Sequence, residues 1–107
     1  MFSKLRSLIF KIDPEKAHTL AIKSLKFNLF PNVLDKNNND PLFKTKIFDK
    51  ELNNPIGMAA GFDKNAEVYN ALFRLGFGFV EVGTITPLKQ YGNPKPRVFR
   101  LVEDEAL

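Results

Sequence analysis

Between Ala59 and Lys64 the chain reads Ala-Ala-Gly-Phe-Asp-Lys, three very small residues followed by an aromatic and two opposite charges. Small side chains where an apolar run ends let something flat approach the backbone, because a leucine there would fill the space. Lys64, four residues beyond Ala60, adds a positive charge and three donors. Thr84, twenty residues further on, offers a hydroxyl that can both donate and accept. Together they suit a planar, partly anionic ligand. A plainer alternative stands beside this one: Ala-Ala-Gly packs a tight strand-to-helix turn, and Asp63 and Lys64 are solvated first-turn charges. The chain contains neither a G-x-G-x-x-G fingerprint nor a P-loop, so any phosphate on the ligand must be held elsewhere.

The elements that must position these residues follow from the hydrophobic pattern. "PIGMAA" from Pro55 predicts a short buried strand. "NAEVYNALFRL" predicts a helix with Val68, Leu72 and Leu75 inward and Gly76 as its terminator, and "FVEVGTIT" a second buried strand. This β-α-β order implies parallel strands joined by a right-handed crossover. Parallel strands end on one edge, so Ala60 to Lys64 and Gly83 to Thr86 come out side by side, at the edge where α/β sheets and barrels bind ligands. Glu81, mid-strand, reads as an interior packing and hydrogen-bonding residue rather than a catalytic acid. Upstream, "FKTKIF" and "ELNNPI" flank Asp49 and Lys50 as an antiparallel hairpin whose turn lacks glycine.

The first 30 residues differ in character. Six bases stand against two acids there, while residues 31–107 hold ten of each, so the whole net charge of +4 sits at the amino terminus. Residues 2–12 carry Phe2, Leu5, Leu8, Ile9 and Ile12 at helical spacing. "DPEK" then restarts a helix: Asp13 caps it, Pro14 fits its first position, and Glu15 complements its positive end. This second helix runs to about Lys26, with Ala17, Leu20, Ala21, Ser24 and Leu25 on one face. Two amphipathic helices at a corner either pack on their own protein or lie on an anionic membrane surface. No apolar run is long enough to span a bilayer or to serve as a signal-peptide core. The turn-rich stretch 31–41 is a linker, which leaves 1–30 as the helical hairpin and 42–107 as the β-α-β part.

Composition narrows the function classes. With 44% hydrophobic and 26% charged residues the chain is of globular type. It has no cysteine and one histidine, which removes disulfide and thiol chemistry and argues against a structural zinc site; no metal is expected. No basic reading face or groove-binding motif is present, so no nucleic-acid partner is expected. At 107 residues the chain is short for a parallel-sheet domain, and "LVEDEAL" carries no stop signal, so the expectation is a fragment of a longer protein.

"DPEKAH", "NPIGMAAGFDKNAE" and "LGFGFVEVGTITPLKQYGNPKPRVFRL" together resemble the quinone-dependent (class 2) dihydroorotate dehydrogenases, flavin enzymes of pyrimidine synthesis, over about Leu8 to Leu107. "AAGFDK" alone carries little; followed at family spacing by "GTITP" and "GNPKPRVFRL", it is specific. The resemblance implies the start of a (β/α)8 barrel that binds FMN at its carboxyl edge. Ala60, Gly61 and Thr84 would line the flavin, with Phe62 and Asp63 in the same cofactor-binding segment. Lys64 would contact both the flavin and the substrate, dihydroorotate, acting by electrostatics and positioning. The catalytic base is expected beyond Leu107, so the fragment alone would be inactive.

The same resemblance gives the hairpin a role, a tunnel through which a membrane quinone reaches the reduced flavin. Leu5, Leu8, Ala17, His18 and Ala21 fall on the matching stripe, and Arg100 matches the polar contact in the tunnel. The implied location is peripheral, at the cytoplasmic face of a bacterial inner membrane. A non-catalytic alternative is a stand-alone membrane-surface or interaction module in which the basic hairpin is the function.

Overall fold

The computed structural model describes residue 6 and residues 9–30 and 41–104. Leu5, Leu8 and most of the expected linker therefore lie outside the described residues, as does most of the first expected helix. Two compact units are present, Met1–Ala21 with Thr86–Leu107, and Ile22–Ile85.

Helix α1 (Pro14–Lys26) starts and stops for local reasons. Asp13 accepts from the Lys16 amide through Oδ1 at 2.9 Å, satisfying one of the donors that a helix leaves unpaired at its amino end. At the other end Asn28 adopts φ 54°, and the Asn28 and Leu29 amides donate back to the Leu25 and Ser24 carbonyls at 3.1 and 3.0 Å. That is a Schellman closure with asparagine in the left-handed position. Upstream, the Phe10 amide donates to Arg6 and the Ile12 amide to Ile9, which closes a helical turn just before the cap.

Within the Ile22–Ile85 unit, strands β1 (Thr45–Ile47) and β2 (Lys50–Leu52) pair antiparallel, with Ile47 opposite Lys50. The glycine-free turn closes because Phe48 and Asp49 both take positive φ, 48° and 61°. This is the hand of turn that matches strand twist, and a bulky residue held there costs on the order of 1–3 kcal/mol. The Lys44–Glu51 ion pair at 2.6 Å lies beside the hairpin.

Strands β3 (Gly57–Met58) and β4 (Phe79–Val80) pair in parallel, with helix α2 (Tyr69–Arg74) between them in sequence. The β-α-β order is as expected, but the elements are shorter. Only two residues of each strand enter the ladder, extended at its two ends by bonds from the Gly78 amide to Ile56 at 2.8 Å and from the Glu81 amide to Met58 at 2.9 Å. A strand with a partner on one side only has little to hold its remaining length straight. Glu81 is accordingly exposed rather than interior.

Helix α2 starts late because Ala66 sits at φ 56°, outside the helical region. It ends at Gly76, φ 102°, whose amide returns to Phe73 at 2.9 Å. Its inward face supplies the core: Val68, Ala71 and Leu72 are buried with Leu25 of α1, and Ile22, Met58, Phe62, Leu75, Phe77 and Val80 pack around them.

Candidate functional site

After Met58 the chain leaves β3, and Ala59 and Ala60 lie exposed. Gly61 then adopts φ 97°, a conformation that side-chain-bearing residues rarely hold. A Cβ built there would meet no atom within 4 Å, so the space in front of Gly61 is open. The Gly61 amide donates to the Gly83 carbonyl at 3.2 Å, and the Gly83 amide donates to the Asp63 carbonyl at 3.4 Å. These two bonds join the loops that follow β3 and β4 and put Ala60 to Lys64 beside Thr84. The structure thus brings together the residues that the β-α-β argument placed at one edge.

The side chains divide between two tasks. Phe62 packs against the core cluster. Asp63 is only 2% exposed, and its carboxylate accepts from the Glu67 amide at 2.7 Å and the Val68 amide at 2.8 Å. It is not a solvated first-turn charge; it satisfies the backbone donors ahead of α2. Lys64 and Thr84 are exposed, and Lys64 makes no ion pair or hydrogen bond among the described residues. The edge therefore presents an uncommitted ammonium, a hydroxyl and an open backbone surface, which can receive a flat group bearing negative charge or carbonyl oxygens.

Replacing Asp63 with alanine strands the buried Val68 N–H and the part-buried Glu67 N–H, at a cost of about 2–4 kcal/mol. Denaturant unfolding of the full-length protein is expected to show that loss, with Asp63→Asn recovering part of it. An unchanged midpoint for Asp63→Ala would contradict the role.

A second cluster lies in the unit formed by Met1–Ala21 and Thr86–Leu107. Ala17, His18 and Ala21 are half-buried on α1, whereas Leu20 is 56% exposed. Arg100 donates through Nη1 to the carbonyls of Phe10 at 3.0 Å and Ile12 at 2.6 Å, and its guanidinium lies 4.9 Å from the Phe10 ring centre. The Arg6 guanidinium is 5.0 Å from the same ring. An arginine that holds carbonyls and stacks on an aromatic is fixed in place while the rest of its fork can meet a ligand.

Beside it Glu15 accepts from Arg97 through Nη2 at 2.6 Å and Nε at 3.2 Å, with Lys95 at 3.3 Å. The Arg97 hydrogen bonds, helped by Lys95, hold the Glu15 carboxyl below its ordinary value of 4.5. A carboxyl lowered in this way adds stability above its unfolded value and loses it as pH falls through the folded one, so the contact is fully formed at neutral pH. In the sequence Glu15 reads only as a helix-end charge, and nothing there marks Arg97. At a separation of 82 positions, no local spacing signal could have joined the two.

Comparison with known proteins places this geometry in a family. The dihydroorotate dehydrogenase family model matches residues 42–107, the larger part of the chain. The chain belongs to the dihydroorotate dehydrogenase family. It is 52% identical over its whole length to a dihydroorotate dehydrogenase (quinone) of Agrobacterium fabrum and 50% identical to that of Xanthobacter autotrophicus, covering 29% and 30% of them. The chain thus spans less than a third of the length of these curated relatives. Two solved DHODH structures from Eimeria tenella, one with ferulenol and one ligand-free, superpose with TM-scores of 0.78 and 0.79 at 48% identity. They cover 86% of this chain, which covers 24% and 25% of theirs. Ala60 to Lys64, Thr84 and Arg100 fall inside the family match, whereas Ala17, His18 and Ala21 precede it.

Proposed function

We propose that this chain is the amino-terminal part of an FMN-dependent dihydroorotate dehydrogenase that passes electrons to a membrane quinone. The observation that carries the reading is similarity at about half identity that continues through the residues before 42, in relatives named for quinone dependence. In this reading β3, α2 and β4 begin a (β/α)8 barrel, and the exposed Ile56, Phe79 and Ile85 are covered by strands and helices that follow Leu107. Residues 1–30 form the quinone-access hairpin with α1 as its second helix, and residues 31–41 link it to the barrel.

The residues present fit a flat, partly anionic cofactor at the strand edge: the space before Gly61 is open, and Lys64 is exposed and has no side-chain partner among the described residues. Bound FMN would supply a two-electron acceptor for the hydride of dihydroorotate and a donor to quinone. Ala60 and Gly61 leave room for the ring system. The Thr84 hydroxyl donates to or accepts from its polar edge. The Lys64 ammonium would contact the flavin and the carboxylate or ring carbonyls of dihydroorotate, where a fixed positive charge stabilises developing negative charge. Phe62 and Asp63 hold that segment in place from behind. Proton removal belongs to a base beyond Leu107.

The basic amino-terminal segment, with its six bases and two acids, is the element that meets an anionic lipid surface. Among the described residues no helix is long and apolar enough to cross a membrane. In this reading the hairpin is a peripheral element on the cytoplasmic face of a bacterial inner membrane. The test is purification of the full-length protein in detergent. It is expected to be yellow and to oxidise dihydroorotate with quinone as acceptor. A colourless, correctly folded protein, or a flavoprotein that ignores dihydroorotate, would overturn the assignment.

A further inference from the structure

Arg97 joins Tyr91, Asn93 and Glu15 in the unit formed by Met1–Ala21 and Thr86–Leu107. Its Nη1 donates to the carbonyls of Tyr91 at 2.9 Å and Asn93 at 3.2 Å, while Nη2 and Nε reach Glu15 on the first turn of α1. The guanidinium therefore ties loop 91–97 to itself and to the helix at once. Gly92, at φ 75°, faces it, and a Cβ there would collide with Arg97 Nη1. The glycine leaves the volume that the guanidinium occupies. Three residues beyond Arg97, Arg100 grips the carbonyls of Phe10 and Ile12, just before the helix whose first turn carries Glu15. Two arginines on one short segment thus fasten to one corner of chain, one through a carboxylate and the other through backbone oxygens.

We propose that Glu15 is a positioning residue for the quinone reaction: through Arg97 and the space left by Gly92 it fixes the 97–100 segment and so sets where Arg100 presents its guanidinium. This rests on the assignment of Arg100 to the quinone route made above. Two donors of one planar fork, Nη2 and Nε, converge on Glu15 Oε1, and two N–H groups held on one plane fix the guanidinium's orientation, which a single lysine contact such as Lys95 does not. Without Glu15 the Arg97 fork keeps only its own loop, and Arg100 loses the frame that aligns it with residues 10–15. Glu15 itself touches no quinone.

The test uses the full-length enzyme in detergent with a short-chain quinone, and in parallel a soluble dye that takes electrons directly from reduced flavin. Glu15→Ala is expected to raise quinone KM about tenfold, the scale of one charge-assisted hydrogen bond, with dye-linked dihydroorotate turnover unchanged. Gly92→Ala, which removes no charge, should raise quinone KM in the same direction. The exchange Glu15→Arg with Arg97→Glu should recover part of the loss.

The proposal is overturned if Glu15→Ala leaves quinone KM unchanged while Arg100→Ala raises it, in which case the quinone route stands without Glu15. It is also overturned if Glu15→Ala lowers quinone-linked and dye-linked turnover together, the mark of a merely structural pair. If Arg100→Ala itself leaves quinone KM unchanged, the quinone assignment fails and the positioning role fails with it.

Discussion

Lys64→Ala in the full-length enzyme is expected to lower dihydroorotate turnover about 100- to 1,000-fold, the cost of removing one preorganised stabiliser of developing charge. The structure makes this a clean substitution. Lys64 is exposed and engages no described side chain, so its loss leaves no buried partner unpaired, and the melting temperature should be nearly unchanged. Its neighbour behaves in the opposite way: Asp63 is buried and holds two amides, so its removal strikes folding first. The pair separates a chemical role from a structural one within two adjacent residues. Lys64→Arg keeps the charge but changes the donor geometry, and should recover only part of the rate. Steady-state kinetics beside thermal unfolding reads both quantities, and a fully active Lys64→Ala enzyme would remove the residue from the mechanism.

Removing residues 1–12 is expected to abolish quinone reduction while leaving flavin bound and dye-linked turnover intact. The cut is placed by the structure. Ile22 and Leu25 of α1 pack with Val68, Ala71 and Leu72, and Lys26 pairs with Glu67 at 3.0 Å, so a deletion through residue 30 would take part of that core with it. Stopping before Asp13 keeps the helix and its cap. What disappears is the Phe10 ring and the Phe10 and Ile12 carbonyls that hold Arg100. Three basic residues go as well, Lys4, Arg6 and Lys11, so binding to anionic vesicles should weaken and become more sensitive to salt. Unchanged quinone kinetics in this variant would refute the hairpin's role.

Several features were legible in the sequence because their causes are local. Asp13-Pro14-Glu15 starts α1 through contacts spanning three residues, and Gly76 stops α2 by taking a conformation in which a side chain is strained. Strand, helix and strand in that order require a parallel pair, so the edge that gathers Ala60, Gly61, Lys64 and Thr84 could be placed without coordinates. The identity of the ligand was not legible from spacing. Only the resemblance to a family names it, and the match of residues 42–107 shows that family.

Other features follow from contacts that no window along the chain can show. Positive φ at Phe48 and Asp49 closes a turn whose sequence lacks the usual glycine, because strand pairing on either side outweighs the local preference. Leu25 belongs to a core built by residues more than forty positions away, and Glu15 meets Arg97 across 82.

The sequence by itself determined where α1 starts and stops and where α2 stops, that β3 and β4 run parallel, and that small residues and one lysine end at their shared edge. These depend on capping, periodicity and chain connection, which act over a few residues. Only the tertiary structure decided that Asp63 is a buried fastener while Lys64 is exposed, and that Glu15 and Arg97 form one clamp. Burial and ion pairing depend on which distant segments meet, and that is fixed only when the chain has folded.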